Sequence, residues 1–170
     1  MPVLQYHFGN KEGLYRACAE AIIEHHSQHT AGPAAVAALA TGCDADVARS
    51  HLKAVIAALV KGNMVESKQA GTWTPFAARE VRDPGAAFDL LYERLWQPGL
   101  ETVTQLVARA RGVSPADPAA GVQALTLISS LSAFGKGREV AMCAPNWKAI
   151  GPGELNTILA VLDAQIDALS

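Results

Sequence analysis

No stretch of this sequence reaches the ~18–20 consecutive apolar residues that a membrane-spanning helix needs. The first ten residues also lack the apolar core of a secretory signal. A cytoplasmic chain with no membrane partner is the expectation. Cysteine is scarce: Cys18, Cys43 and Cys143 are far apart and odd in number. That suits thiols in a reducing compartment and argues against a disulfide framework. Charge is sparse as well. The formal net charge is −2, so the chain is not a polycation that would hold nucleic acid over its whole surface. A small basic site remains compatible with that total. No segment sustains the alternation of a strand, and no internal repeat or low-complexity tract occurs. Catalytic signatures are missing too: no glycine-rich phosphate loop, no nucleophile elbow, no His-Glu-x-x-His. Ser129, Ser130 and Ser132 fall mid-helix, without the strained turn and oxyanion hole of a nucleophilic serine. Neither a catalytic residue nor a cofactor is expected.

What is present is apolar residue at helical spacing. Half of the chain is hydrophobic, enough for a sizeable core. Leu14, Ala17, Cys18, Ala21, Ile22 and His25 share one face of a helix from Lys11 to about Thr30. Gly32-Pro33 ends it, and Pro33 opens a short alanine-rich helix through Leu39. Asp44 caps the next, about Ala45 to Lys61, with Gly62-Asn63 as its C-terminal cap. Thr74-Pro75 starts a short helix to about Val81. Asp83-Pro84 stops it and caps a long one, Gly85 to Arg111, with a kink expected at Pro98. A helix from about Pro118 to Met142 is apolar almost all round. The last runs from about Gly153 to Leu169. The fold class is therefore all-α.

The opening stretch is the most specific feature. Gly9 can take positive φ, and Asn10 can then cap the helix that starts at Lys11. A cation in a first helical turn is unfavourable beside the helix dipole unless an anion is near, and helix starts favour phosphate. The string Leu4-Gln5-Tyr6-His7-Phe8-Gly9-Asn10-Lys11-Glu12-Gly13-Leu14-Tyr15 closely resembles the end of the DNA-recognition helix, and the start of the following helix, in TetR/AcrR-type transcriptional regulators. By that alignment the chain begins inside the recognition helix. Residues 1–30 are then a remnant of the DNA-binding domain with its connecting helix, and 31–170 a ligand-binding and dimerisation domain. The resemblance implies DNA contact by Gln5, Tyr6, His7 and Lys11, and burial of Phe8 at the corner.

The resemblance continues downstream. Trp73-Thr74-Pro75-Phe76-Ala77-Ala78-Arg79-Glu80, then Asp83-Pro84-Gly85-Ala86-Ala87-Phe88-Asp89 and Leu91-Tyr92, is similar to the effector domain of one TetR branch, whose mid-helix proline Pro98 matches. It implies a pocket for a small apolar or amphipathic effector, lined by Trp73, Phe76, Arg79, Phe88, Tyr92, Trp96 and Phe134. On spacing alone each of those aromatics suits a core as well as a pocket.

The last two helices carry more apolar surface than a monomer of this size can cover. A homodimer is expected, with Leu125, Ile128, Leu131, Leu155, Ile158, Leu159, Leu162 and Ile166 in a four-helix interface. His25 and His29 stand one turn apart, a spacing that can chelate a metal. No cysteine or carboxylate is tied to them by sequence, so a polar helix face is the preferred reading and no metal is expected.

The function implied is a TetR-like regulator, repression being the commoner mode, with operator DNA as partner of the full-length protein. Effector binding would change the spacing of two reading heads. The alternative is a small-molecule-binding dimer without DNA-binding activity. A weaker third reading is an enzyme that uses the apolar pocket.

Overall fold

A computed structural model of the chain describes residues 9–29, 36–39, 41–64, 70–135 and 138–170. The helices are α1 (Lys11–His29), α2 (Ala45–Met64), α3 (Ala70–Arg82), α4 (Phe88–Leu91), α5 (Gln97–Arg111), α6 (Pro118–Gly135), α7 (Arg138–Cys143) and α8 (Pro152–Asp167), with a π turn, Tyr92–Trp96, between α4 and α5. Residues 36–39 add one helical turn, and no strand occurs among the described residues. The chain is all-α. It divides into two units, one drawn from Met1–Thr30 and Glu66–Gly99, the other from Ala31–Val65 and Leu100–Ser170. This partition shares the Thr30/Ala31 boundary with the contiguous split at residue 31, but places Glu66–Gly99 with the first helix.

In the first unit, Gly9 has φ +71°, and Asn10 Oδ1 accepts the Gly13 N–H at 2.8 Å. The cap therefore forms where the sequence puts it. Ala19, Ile22 and Ile23 of α1 are buried with Ala87 and Leu91, and Tyr15, Trp73, Phe76, Leu90, Leu95 and Trp96 pack around them. Pro75 lies inside α3 and does not start it. Its missing N–H leaves the Gly71 carbonyl without a ladder partner.

The turn after α3 is held by a residue other than the expected one. Asp83 does not cap the next helix, which starts at Phe88 rather than Gly85, with Ala87 as its N-cap and no side-chain cap. Glu80 does the tying: it is 1% exposed, and its Oε2 accepts the Gly85 N–H at 3.1 Å. A Cβ at residue 85 would meet that oxygen at 3.3 Å, so the close approach favours glycine.

The break near Pro98 is also of a different kind from a simple kink. The helix widens just before the proline, and the Gln97 N–H reaches back to the Tyr92 carbonyl, five residues away. A proline has no N–H for the carbonyl four residues earlier, here Arg94, and its ring would strike that carbonyl. One wide turn relieves the conflict without ending the helix.

The second unit has an aliphatic core. Leu52, Ile56 and Val60 of α2, Val103, Leu106 and Val107 of α5, Ala120, Ala124, Leu127 and Leu131 of α6, and Ile158, Leu162 and Ile166 of α8 are all buried. Asp44 Oδ1 accepts the Val47 N–H at 2.8 Å and caps α2. Gly62 does not end α2, which runs on to Met64; an interior glycine costs about 1 kcal/mol, too little to stop a packed helix. Of the helix expected from Pro118 to Met142, Pro118–Gly135 (α6) and Arg138–Cys143 (α7) are helical, and residues 136–137 lie outside the described residues. Gly151 precedes α8, its N–H bonded to Glu154 Oε2 at 2.9 Å. Cations secure the helix ends. Arg49 donates to the carbonyls of Ala110 at 2.8 Å and Leu169 at 3.0 Å, and Lys53 meets Asp167 at 2.7 Å.

Candidate functional site

Helical spacing builds an aromatic and cationic face on the first unit. Lys11 and Tyr15 are one turn apart on α1, and Phe76 and Arg79 are one turn apart on α3. The Tyr15 and Phe76 rings lie 5.5 Å apart and tilted. Arg79 Nη1 donates to the Tyr15 hydroxyl at 2.5 Å, and its guanidinium carbon is 5.4 Å from the ring centroid. Lys11 Nζ is 5.7 Å from the same centroid. Further along both helices, His25 meets Trp73 edge-on at 4.7 Å. Such contacts are worth about 0.5–1.5 kcal/mol each beyond the area they bury. An open cleft of about 330 Å³ runs beside this clasp, lined by Lys11, Glu12, Tyr15, Arg79, Asp83 and Pro84 among others.

The π turn carries a second aromatic group. Phe88 stacks on Tyr92 at 5.9 Å with the rings 11° from parallel, and meets Trp96 at 5.8 Å. Tyr92 is 43% exposed, so a ring of this group is open to solvent. Of the residues expected to line a pocket, Trp73, Phe76, Arg79, Phe88, Tyr92 and Trp96 thus belong to the first unit. Phe134 packs on the second unit's core. Arg79 alone of that set lines the open cleft. A further recess, about 290 Å³, is lined by Leu39, Gln105, Arg109, Gly112, Val113 and Pro115.

Gln5, Tyr6 and His7 lie outside the described residues; Lys11 is exposed. The residues expected at a dimer interface divide. Leu131, Ile158, Leu162 and Ile166 are buried in the chain's own core, and Ile128, Leu155 and Leu159 pack against it half-buried. These have little surface left for a second copy. Leu125 is 53% exposed, beside Val122 at 64%, and Val161 of α8 is 55% exposed. An apolar stripe states that a face is covered, not what covers it; here α2 packs on both α6 and α8 within the shared core.

Tyr15 and Glu80 are the residues whose roles the sequence hid. Tyr15 closes the opening motif, but its bond to Arg79 joins positions remote in the chain. Glu80 carries no signal beyond being an acid next to a turn. Among the described residues, no group of His, Cys, Asp and Glu side chains gathers to hold a metal ion, and no helix is long and apolar enough to cross a membrane.

Comparison with known proteins bears on both units. Residues 48–170 match the family model of the C-terminal domain of the HTH-type transcriptional dual regulator CecR. Over 168 residues the chain is 26% identical to the HTH-type transcriptional dual regulator CecR of Shigella flexneri, covering 98% of this chain and 75% of that protein.

Proposed function

Since this chain belongs to the family of the CecR C-terminal domain, we propose that it is a TetR-like transcriptional regulator, acting as a repressor, whose helical region binds a small effector and dimerises. The observation that carries this reading is the extent of the similarity to the Shigella regulator. It covers 98% of the chain, and so takes in the opening stretch as well as the effector region. The relative is named a dual regulator, which leaves activation as the alternative mode within the family.

The effector site proposed is the aromatic group of Phe88, Tyr92 and Trp96, with Trp73 and Phe76 on the neighbouring helix and Arg79 as the polar group. The exposed Tyr92 ring beside half-buried Phe88 and Trp96 suits a small apolar or amphipathic molecule, and π turns recur at functional sites. Phe134 belongs to the other unit's core and is left out of this site. The dimer surface proposed is the outer flank of α6 and α8: Val122, Leu125 and Val161, among Ser129, Ser132, Ala160 and Ala164, whose small side chains let helices approach closely.

Gel shifts with this chain, and with a version extended at the N-terminus by the first helices of a helix-turn-helix, test the regulator. DNA binding by either supports it; binding by neither leaves the small-molecule-binding dimer. Sedimentation tests the dimer. Val161→Asp should convert it to a monomer at micromolar concentration, and a wild-type monomer would remove the interface. A thermal-shift screen of amphipathic aromatic compounds tests the pocket. Hits that protect wild type should lose their effect in Trp96→Ala.

A further inference from the structure

We propose that Arg79 is a second phosphate-binding cation, set beside Lys11 so that one backbone phosphate of duplex DNA is gripped by Lys11, the Tyr15 hydroxyl and Arg79 together. This rests on the reading of the chain as a DNA-binding regulator. It extends DNA contact from the reading head onto α3.

The geometry is convergent. Lys11 Nζ and the Arg79 guanidinium lie 5.7 Å and 5.4 Å from the centroid of one tyrosine ring. Sharing one ring places the two cations no more than about 11 Å apart, and an anion near both lowers their mutual repulsion. Among the described residues neither is in an ion pair. The salt bridges there are Arg49–Asp46, Lys53–Asp167 and Arg111–Asp117. Arg79 gives one N–H to the Tyr15 hydroxyl and keeps the rest of its planar fork, which matches phosphate geometry. The Tyr15 oxygen accepts that bond, so its own proton is free for a phosphate oxygen.

Positioning is strong for an exposed site. Phe76 packs on the tyrosine ring at 5.5 Å, and helical spacing puts Lys11 on the face of Tyr15 and Arg79 on that of Phe76. Glu80 lines the cleft but is tied to the Gly85 N–H. Glu12 and Asp83 also line it, and their charges oppose an anion. Removing one should therefore strengthen binding, a sign that a purely structural clasp would not show. The cations are exposed, so a free phosphate would be held weakly. A duplex brings its phosphates as an array, and α1 starts at Lys11, four residues after His7. The backbone of DNA is the occupant that fits.

The test is fluorescence anisotropy of the full chain on a labelled mixed-sequence duplex across a sodium chloride series, with melting temperature measured in parallel. Arg79→Gln should lower the log–log salt slope by about one unit and weaken binding several-fold at low salt. Arg79→Lys should keep the slope, and Asp83→Asn should tighten binding. A wild-type slope in Arg79→Gln with a lowered melting temperature would make Arg79 a structural clasp only and overturn the proposal. If Lys11→Gln then still lost a unit of slope, DNA binding itself would stand. Protection by millimolar inorganic phosphate without any effect of Arg79→Gln on DNA would assign the cleft to small anions instead. If neither wild type nor the N-terminally extended version bound duplex at low salt, the DNA-binding reading would fall and the proposal with it; if only the extended version bound, a wild-type salt slope in its Arg79→Gln variant would overturn the proposal alone.

Discussion

The two units are held together by different chemistry. The second buries aliphatic side chains from α2, α5, α6 and α8 in one continuous core, and its helix ends are secured by Arg49, Lys53 and Arg111. The first buries few aliphatic residues and relies on half-buried aromatics, a sequestered carboxylate and a π turn. Its side chains are large and polar-edged, and several remain open to solvent. The difference teaches where stability and recognition are drawn from. A dense aliphatic core resists opening, while a unit of half-buried rings and exposed cations can open locally at lower cost. Ligand-responsive parts come from the low-stability end of such a range.

The comparison can be broken most directly by cavities. Ile56→Ala should lose about 2–5 kcal/mol of global stability, read in urea unfolding. Leu91→Ala, though equally buried, should chiefly speed hydrogen exchange in the first unit and leave amides of α2 protected. Equal global losses for the two would show one cooperative body. Next in size is Arg49→Ala. The Ala110 and Leu169 carbonyls would lose a charged donor, at about 1–3 kcal/mol, with the same global signature. A smaller effect is expected of Glu80→Ala, about 1 kcal/mol for the Gly85 N–H left unpaired, seen as faster exchange confined to the turn and α4. The smallest change in stability belongs to Pro98→Ala. The restored N–H should let the π turn relax to α, moving the Gln97 amide signal and the near-ultraviolet bands of Trp96. A π turn that persisted in that variant would place its cause in the aromatic stack instead.

Much of this architecture was legible in the residues. The Asn10 and Asp44 caps form as their side chains predict, because a cap is decided within one turn of chain. The all-α class follows from periodicity, whereas the starts suggested by Thr74-Pro75 and Asp83-Pro84 do not form, because a proline signal holds only where the chain's path allows a first turn there. Contacts decided at long range were not legible. The stripe of Leu131, Ile158, Leu162 and Ile166 reads the same whether its cover is a second copy or the chain's own core, in which these residues are buried. Pro98 announced a disturbance, but its effect appears one turn upstream, where the Arg94 carbonyl must be avoided. Asp83 has the sequence signature of a cap, and Glu80 has none for tying a turn. The backbone path between them, which no local pattern specifies, reversed those roles. The resemblance makes Arg79 a polar group of the pocket, whereas its bond to Tyr15 depends on how α3 lies along α1.

The order of segments in the two units carries a consequence for anyone who would cut or graft this molecule. The chain leaves the first unit at Thr30, returns at Glu66 and leaves again at Gly99. No single cut separates one unit from the other. A fragment starting at Leu100 lacks α2 and with it a wall of the aliphatic core, so it should stay uncollapsed in solution. A fragment ending at Thr30 lacks α3 and α4, the surfaces that α1 needs. Exchange between relatives must therefore carry both halves of a unit at once. A chimera joined at one residue would pair an interrupted half with a stranger's complement, and should fold only where those two halves have kept matching shapes.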